Sequence, residues 1–127
     1  MRAAITICLA ILGILALLYA VTPKPGSSKL APIGAAWNDV HGGIPTALAA
    51  FEVDNGFYPK GLEDLLKQPS NARNWHGSYF DPPKVPVDPW GRKYIYEYPG
   101  KHNTNGFDLF SAGPDGKAGT GDDIGNW

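Results

Sequence analysis

The sequence predicts an α+β domain in which one amphipathic helix packs on a short antiparallel sheet, set behind a membrane-directed N-terminal segment. Three observations predict it. Trp37, Val40, Ile44, Leu48 and Phe51 recur at helical spacing, with Ala47, Ala49 and Ala50 as strong helix formers among them. Two short segments, Lys93 to Tyr98 and Phe107 to Ser111, alternate as half-buried strands do, and the turn from Pro99-Gly100 through Gly106 joins them. Ahead of both, Ala3 to Val21 carries no charge at all.

Composition narrows the function classes. A chain of 127 residues has room for one small domain, and its N-terminal apolar run contributes nothing to a water-soluble core. A net charge of −1 and the lack of any basic cluster remove the electrostatic footprint of a nucleic-acid binder. The single cysteine, Cys8, lies inside the apolar run, so neither an intrachain disulfide nor a thiolate metal site is expected.

Taken in order, residues 1–22 read as a transmembrane signal-anchor. The uncharged run is flanked by Arg2 and by Pro23, Lys24 and Pro25, and at about 1.5 Å per residue it reaches roughly 28 Å, near the hydrocarbon thickness of a bilayer. It is longer than a signal-peptide core, and Leu18-Tyr19-Ala20 is a poor cleavage site because a bulky residue stands in it, so an uncleaved anchor is favoured over a cleaved signal peptide. Residues 23–36, rich in Pro, Gly and Ser, read as a linker. The globular domain then spans 37–127.

Within that domain the helix is expected from about Pro45 to Asp54, with an earlier turn before a break at Gly42-Gly43 and a stop at Asn55-Gly56. Leu62, Leu65 and Leu66 share one face of a short second helix that Glu63 and Asp64 open and Pro69 ends. Asn74 to Phe80, NWHGSYF, reads as a packed aromatic loop. Val85 to Arg92, VPVDPWGR, is proline-dense and ends in a turn.

No catalytic carrier is visible. No Gly-rich phosphate loop, G-x-S-x-G or H-E-x-x-H motif occurs. Glu63 and Asp64 are adjacent on a helix and point apart, and His41 has no second ligand at metal-binding spacing. An enzyme would need Asp88, His41 or His76 to converge on one cleft.

The C-terminal stretch Phe107 to Trp127, FDLFSAGPDGKAGTGDDIGNW, runs from a strand into a Gly/Asp-rich loop and ends on the apolar anchor Ile124 and Trp127. The loop has little apolar surface to bury, so something else must order it if it is ordered. Asp115, Asp122 and Asp123 supply carboxylates suited to a hard cation, while Gly113, Gly116, Gly119 and Gly121 permit turns that aim carbonyls inward. The same residues also make an ordinary solvated, turn-rich tail, and the spacing is not that of an EF-hand.

Read together, YPKGLEDLLKQP, WHGSYF, VPVDPWGRKYIYEYPG and the C-terminal FDLFSAGPDGKAGTGDDIGNW resemble, in that order, the major pseudopilins of type II secretion systems. The resemblance covers roughly Ile44 to Trp127. It implies a pilin-like domain whose N-terminal helix packs on the sheet, with Ca2+ in the C-terminal loop held by the carbonyls of Ala112 and Lys117 and the side chains of Asp115, Asp122 and Asp123. It also implies a non-enzymatic role exercised through contact with other pilin-like or cell-envelope proteins, from a single-pass position in the inner membrane with the domain on the periplasmic side. Family members carry a Gly-Phe cleavage point before the apolar helix and a glutamate early in it. Here no acidic residue precedes Asp39, and Pro23, Pro25, Gly26 and Pro32 interrupt the stalk. The expectation is therefore a pseudopilin-like subunit that the prepilin peptidase does not process. The alternatives are a soluble calcium-binding module released by signal-peptide cleavage, and a true pseudopilus subunit with a misassigned start.

Overall fold

The computed structural model describes residues 29–127. The anchor over residues 1–22 and residues 23–28 of the linker lie outside the described residues. Among the described residues, no helix is long and apolar enough to cross a membrane.

Helix α1 spans Ala31–Asn38 and carries Pro32 in its first turn, where a missing N–H costs nothing. A π-helical turn, Asp39–Gly43, follows without interruption, and α2 continues over Ile44–Asn55. Helix thus occupies the C-terminal part of the stretch read as linker, and Gly42-Gly43 does not break it. The reason for the wide turn is local. Pro45 has no N–H to give the carbonyl four residues back, and its ring crowds that carbonyl. The helix opens by one residue instead, and the Ile44 N–H bonds to the Asp39 carbonyl. The Thr46 hydroxyl donates to the Gly42 carbonyl at 2.7 Å, which gives that carbonyl of the opened turn a partner. At the far end Gly56, with φ of 80°, caps α2 and donates its N–H to Glu52, as Asn55-Gly56 predicts.

The expected second helix is a single 3-10 turn, Leu62–Leu65. Three strands follow: β1 Ile95–Glu97, β2 Asp108–Ser111 and β3 Ile124–Gly125. They form one antiparallel sheet in the order β1-β2-β3, with Tyr96 opposite Leu109 and Ser111 opposite Ile124. The third strand was not anticipated as a strand, although its Ile124 was expected to anchor the chain.

Val40, Ile44, Leu48 and Phe51 are fully buried, so the predicted helical stripe does face the sheet. Trp37 departs from it. It is 54% exposed and stacks on His41 at 4.2 Å between ring centroids. Leu62, Leu65, Ala72, Tyr94 and Leu109 complete the core, and Phe51 meets Phe57 and Tyr79 edge to face. Each fully buried large apolar side chain contributes about 1.5–3 kcal/mol, and Leu109 joins the central strand β2 to this core.

Candidate metal centre

Strand β2 ends at Ser111 and β3 begins at Ile124, and because these two residues pair, residues 112–123 form a closed loop on the sheet edge. Its acidic side chains fold back on the loop's own main chain. Asp115 Oδ1 accepts the Lys117 N–H at 2.8 Å, and Asp123 Oδ2 accepts the Gly119 N–H at 2.7 Å. Asp122 Oδ2 accepts the Asp115 N–H at 2.9 Å. The Thr120 hydroxyl lies between Asp122 Oδ1, at 2.5 Å, and the Lys117 carbonyl, at 3.0 Å. The Ala112 carbonyl receives the Gly116 N–H at 3.1 Å. The Thr120 hydroxyl, with the Asp115 N–H, holds the Asp122 carboxyl below its ordinary range.

Gly113 shows why the loop needs a glycine at its start. Its φ is +60°, and a Cβ there would overlap the Asp122 carbonyl. The loop's two ends are in contact at this point. Gly116 and Gly119 also take positive φ, whereas Gly121 does not, so the fourth glycine is not required by backbone conformation.

Of the five residues expected to hold an ion, Asp115, Lys117 and Asp122 are drawn together around Thr120 and the Asp115 N–H. The three carboxylates do not meet at one point. Among the described residues, no three acidic, histidine or cysteine side chains are grouped as metal ligands. Two features nonetheless suit a hard cation. Asp123 Oδ1 is buried without a hydrogen-bond partner. One Thr120 proton stands between two acceptor oxygens and can satisfy only one of them at a time. The donor set consists of oxygen alone, which matches Ca2+.

Comparison with known proteins bears on the whole domain. The family model for type II secretion system protein G matches residues 26–127. This chain belongs to that family. The core protein G of Pseudomonas aeruginosa is 42% identical over 134 residues, an alignment covering 97% of this chain and 89% of that protein. The core protein G of Escherichia coli K12 is 37% identical over 129 residues, covering 97% and 86%. Among solved structures, the major pseudopilin from the type 2 secretion system of enterohaemorrhagic Escherichia coli superimposes with a TM-score of 0.67 at 33% identity, over 84% of this chain and 92% of that one. The likeness therefore begins well before Ile44, where the sequence motifs alone placed its start.

In this protein G family member, the three side chains weighed for a catalytic cleft each have partners of their own. His41 Nδ1 lies 3.0 Å from the Trp37 carbonyl, and His76 Nδ1 lies 3.2 Å from Asp54. Asp88 has other partners. Its Oδ1 accepts the N–H groups of Trp90 and Arg92 at 3.0 and 2.8 Å, and its Oδ2 accepts the Ser111 hydroxyl at 2.7 Å. Among the described residues, these three side chains share no partner. Asp88 and Ser111, both buried, tie the VPVDPWGR turn to the strand that leads into the loop. Sequence reasoning missed this role. Its only signal was an aspartate two residues before a Trp-Gly turn, a usual acceptor for turn N–H groups.

Proposed function

We propose that this chain is a non-enzymatic, calcium-stabilised structural subunit of the type II secretion pseudopilin class, held in the inner membrane by an uncleaved N-terminal helix with its domain on the periplasmic side. It works through contact with other pilin-like or cell-envelope proteins. Family membership over residues 26–127 carries the structural role. The calcium reading is supported by the oxygen-only loop and by the buried, unpartnered Asp123 Oδ1. The carbonyls of Ala112 and Lys117 and the carboxylates of Asp115, Asp122 and Asp123 would hold the ion, which would supply positive charge to a segment with little apolar surface of its own.

Chelation tests the calcium reading. Removing Ca2+ from the full chain should lower its melting temperature, and Asp122→Ala should remove most of that sensitivity. Identical melting curves with and without chelator would reject it. Mass spectrometry of the mature N-terminus tests the anchor: an intact Met1 or Arg2 supports it, and a new terminus near Val21 to Ser28 rejects it.

One observation favours a second reading, in which the chain assembles into the pseudopilus itself. Helix runs from Ala31 to Asn55 through the π turn, where a linker and a separate short helix were expected. Cross-linking between engineered cysteines on α1 of neighbouring copies separates the two readings.

A further inference from the structure

The loop is held at its entrance by a residue from outside it. Arg92 follows the DPWG turn, and its guanidinium Nη2 donates to the Gly113 carbonyl. The flat face of the same group lies against Gly116: a Cβ at Gly116 would stand 2.9 Å from Nη1 and 3.1 Å from Cζ. Behind the guanidinium, Nε is 3.7 Å from Asp88 Oδ2, and the Asp88 side chain is fully buried. Trp90 flanks the group, with Cζ 5.8 Å from its ring. The Arg92 main-chain N–H also bonds to Asp88 Oδ1, so one carboxylate hydrogen-bonds the main chain of this residue and forms an ion pair, without a hydrogen bond, with the Nε of its side chain.

Among the described residues, no side chain from outside the loop hydrogen-bonds its exit half. Its hydrogen bonds run among its own residues, from Lys117 and Gly119 to Asp115, Thr120, Asp122 and Asp123. The two halves are thus ordered by different means. We propose that Arg92 is the positioning residue of the C-terminal loop: pinned by Asp88, it fixes Gly113 to Gly116, so that a bound cation has only the stretch from Lys117 to Asp123 left to order. The charge balance agrees with this. An arginine beside a cation site would repel the ion if it stood alone, but the buried Asp88 carboxylate neutralises it. The fork geometry also agrees, since a guanidinium can donate to a carbonyl while facing a carboxylate, and an ammonium at the end of a lysine does so less well.

The part of this proposal that concerns the cation rests on the calcium reading, and the part that concerns Gly113 to Gly116 does not. Hydrogen exchange on the full chain, with Ca2+ added and then chelated, reads both. In the native chain, chelation should speed exchange over 117–123 and leave the Gly116 N–H protected. In Arg92→Ala, the Gly116 N–H should exchange fast even with Ca2+ present, and the Ca2+ titration midpoint should weaken about tenfold, the size of one charge-assisted hydrogen bond. Arg92→Lys should recover part of both effects, and it serves as the working variant if the alanine chain does not fold. Unchanged Gly116 protection in both variants would overturn the proposal. A native chain with no Ca2+ response, but with Gly116 exposed in Arg92→Ala, would reject the calcium reading and uphold the positioning role.

Discussion

Asn126 pairs with Leu109 twice, through its main-chain N–H to the Leu109 carbonyl at 3.1 Å and through its Oδ1, which accepts the Leu109 N–H at 3.0 Å. Its amide also donates to the Phe107 carbonyl at 3.1 Å, and Asn103 donates to the same Oδ1. A side chain here continues a sheet whose third strand has only two residues. Asn126→Ala leaves the N–H of a fully buried residue without an acceptor, which costs about 1–3 kcal/mol. In a domain of this size that lowers the melting temperature by roughly 5–20 °C, measurable by circular dichroism.

Gly113 and Gly119 should respond differently to the same substitution. Both take positive φ, so alanine strains either one. At Gly119 nothing lies within 4 Å of an added Cβ, and the cost is that strain alone, about 1 kcal/mol. At Gly113 the methyl meets the main chain of Asp122, which has no side-chain freedom to move away. Gly113→Ala should therefore open the loop, seen as protease cleavage between residues 112 and 123, while Gly119→Ala stays resistant.

Asp108 sets an acid limb of stability. It is 1% exposed. Burial by itself would raise its pKa, but the main-chain N–H groups of His102, Asn103 and Lys101 outweigh that and bring it from 3.8 down to about 2. A depressed folded value means stability that is fully present above the ordinary value of 3.8 and is lost as pH falls through about 2. Asp108→Asn should lower stability at neutral pH and flatten its fall between pH 4 and 2, in denaturant titrations run across that range.

Tyr94 joins sheet to helix. Its ring is buried, and its hydroxyl donates to Asp39 Oδ2 at 2.7 Å, in the π turn. Burial and then the Asp39 carboxylate push the phenol well above its usual range, so it stays protonated throughout the accessible pH range. Tyr94→Phe removes one hydrogen bond to a charged group and should cost about 1.5–3 kcal/mol. A double-mutant cycle with Asp39→Asn checks that the loss belongs to this pair.

Much of the fold was legible because it follows from spacing. The buried stripe from Val40 to Phe51, the stop at Gly56 and two of the strands are each set by neighbours a few residues apart. The helix through Gly42-Gly43 was not legible, since two glycines cost about 1 kcal/mol each in a helix and only the burial of Val40 and Ile44 on either side offsets that. The carboxylates of the loop could be named from composition. Arg92 could not, because its relation to Gly113 joins residues far apart in the chain, and nothing near Arg92 in sequence marks it as a loop contact.

The π turn at Asp39–Gly43 also fixes a phase. Each residue added to or removed from a helix rotates everything beyond it by about 100°. Deleting Gly42 or Gly43 would force regular winding and bring the Pro45 ring back against the carbonyl four residues before it, and with Ile44, Leu48 and Phe51 anchored in the core it would swing Ile33 and Trp37 to another side of the rod. The surface that the upstream helix offers to its surroundings is thus encoded as a one-residue offset, and a single-residue deletion that redirected it would also take the buried Ala36 and Val40 out of the core.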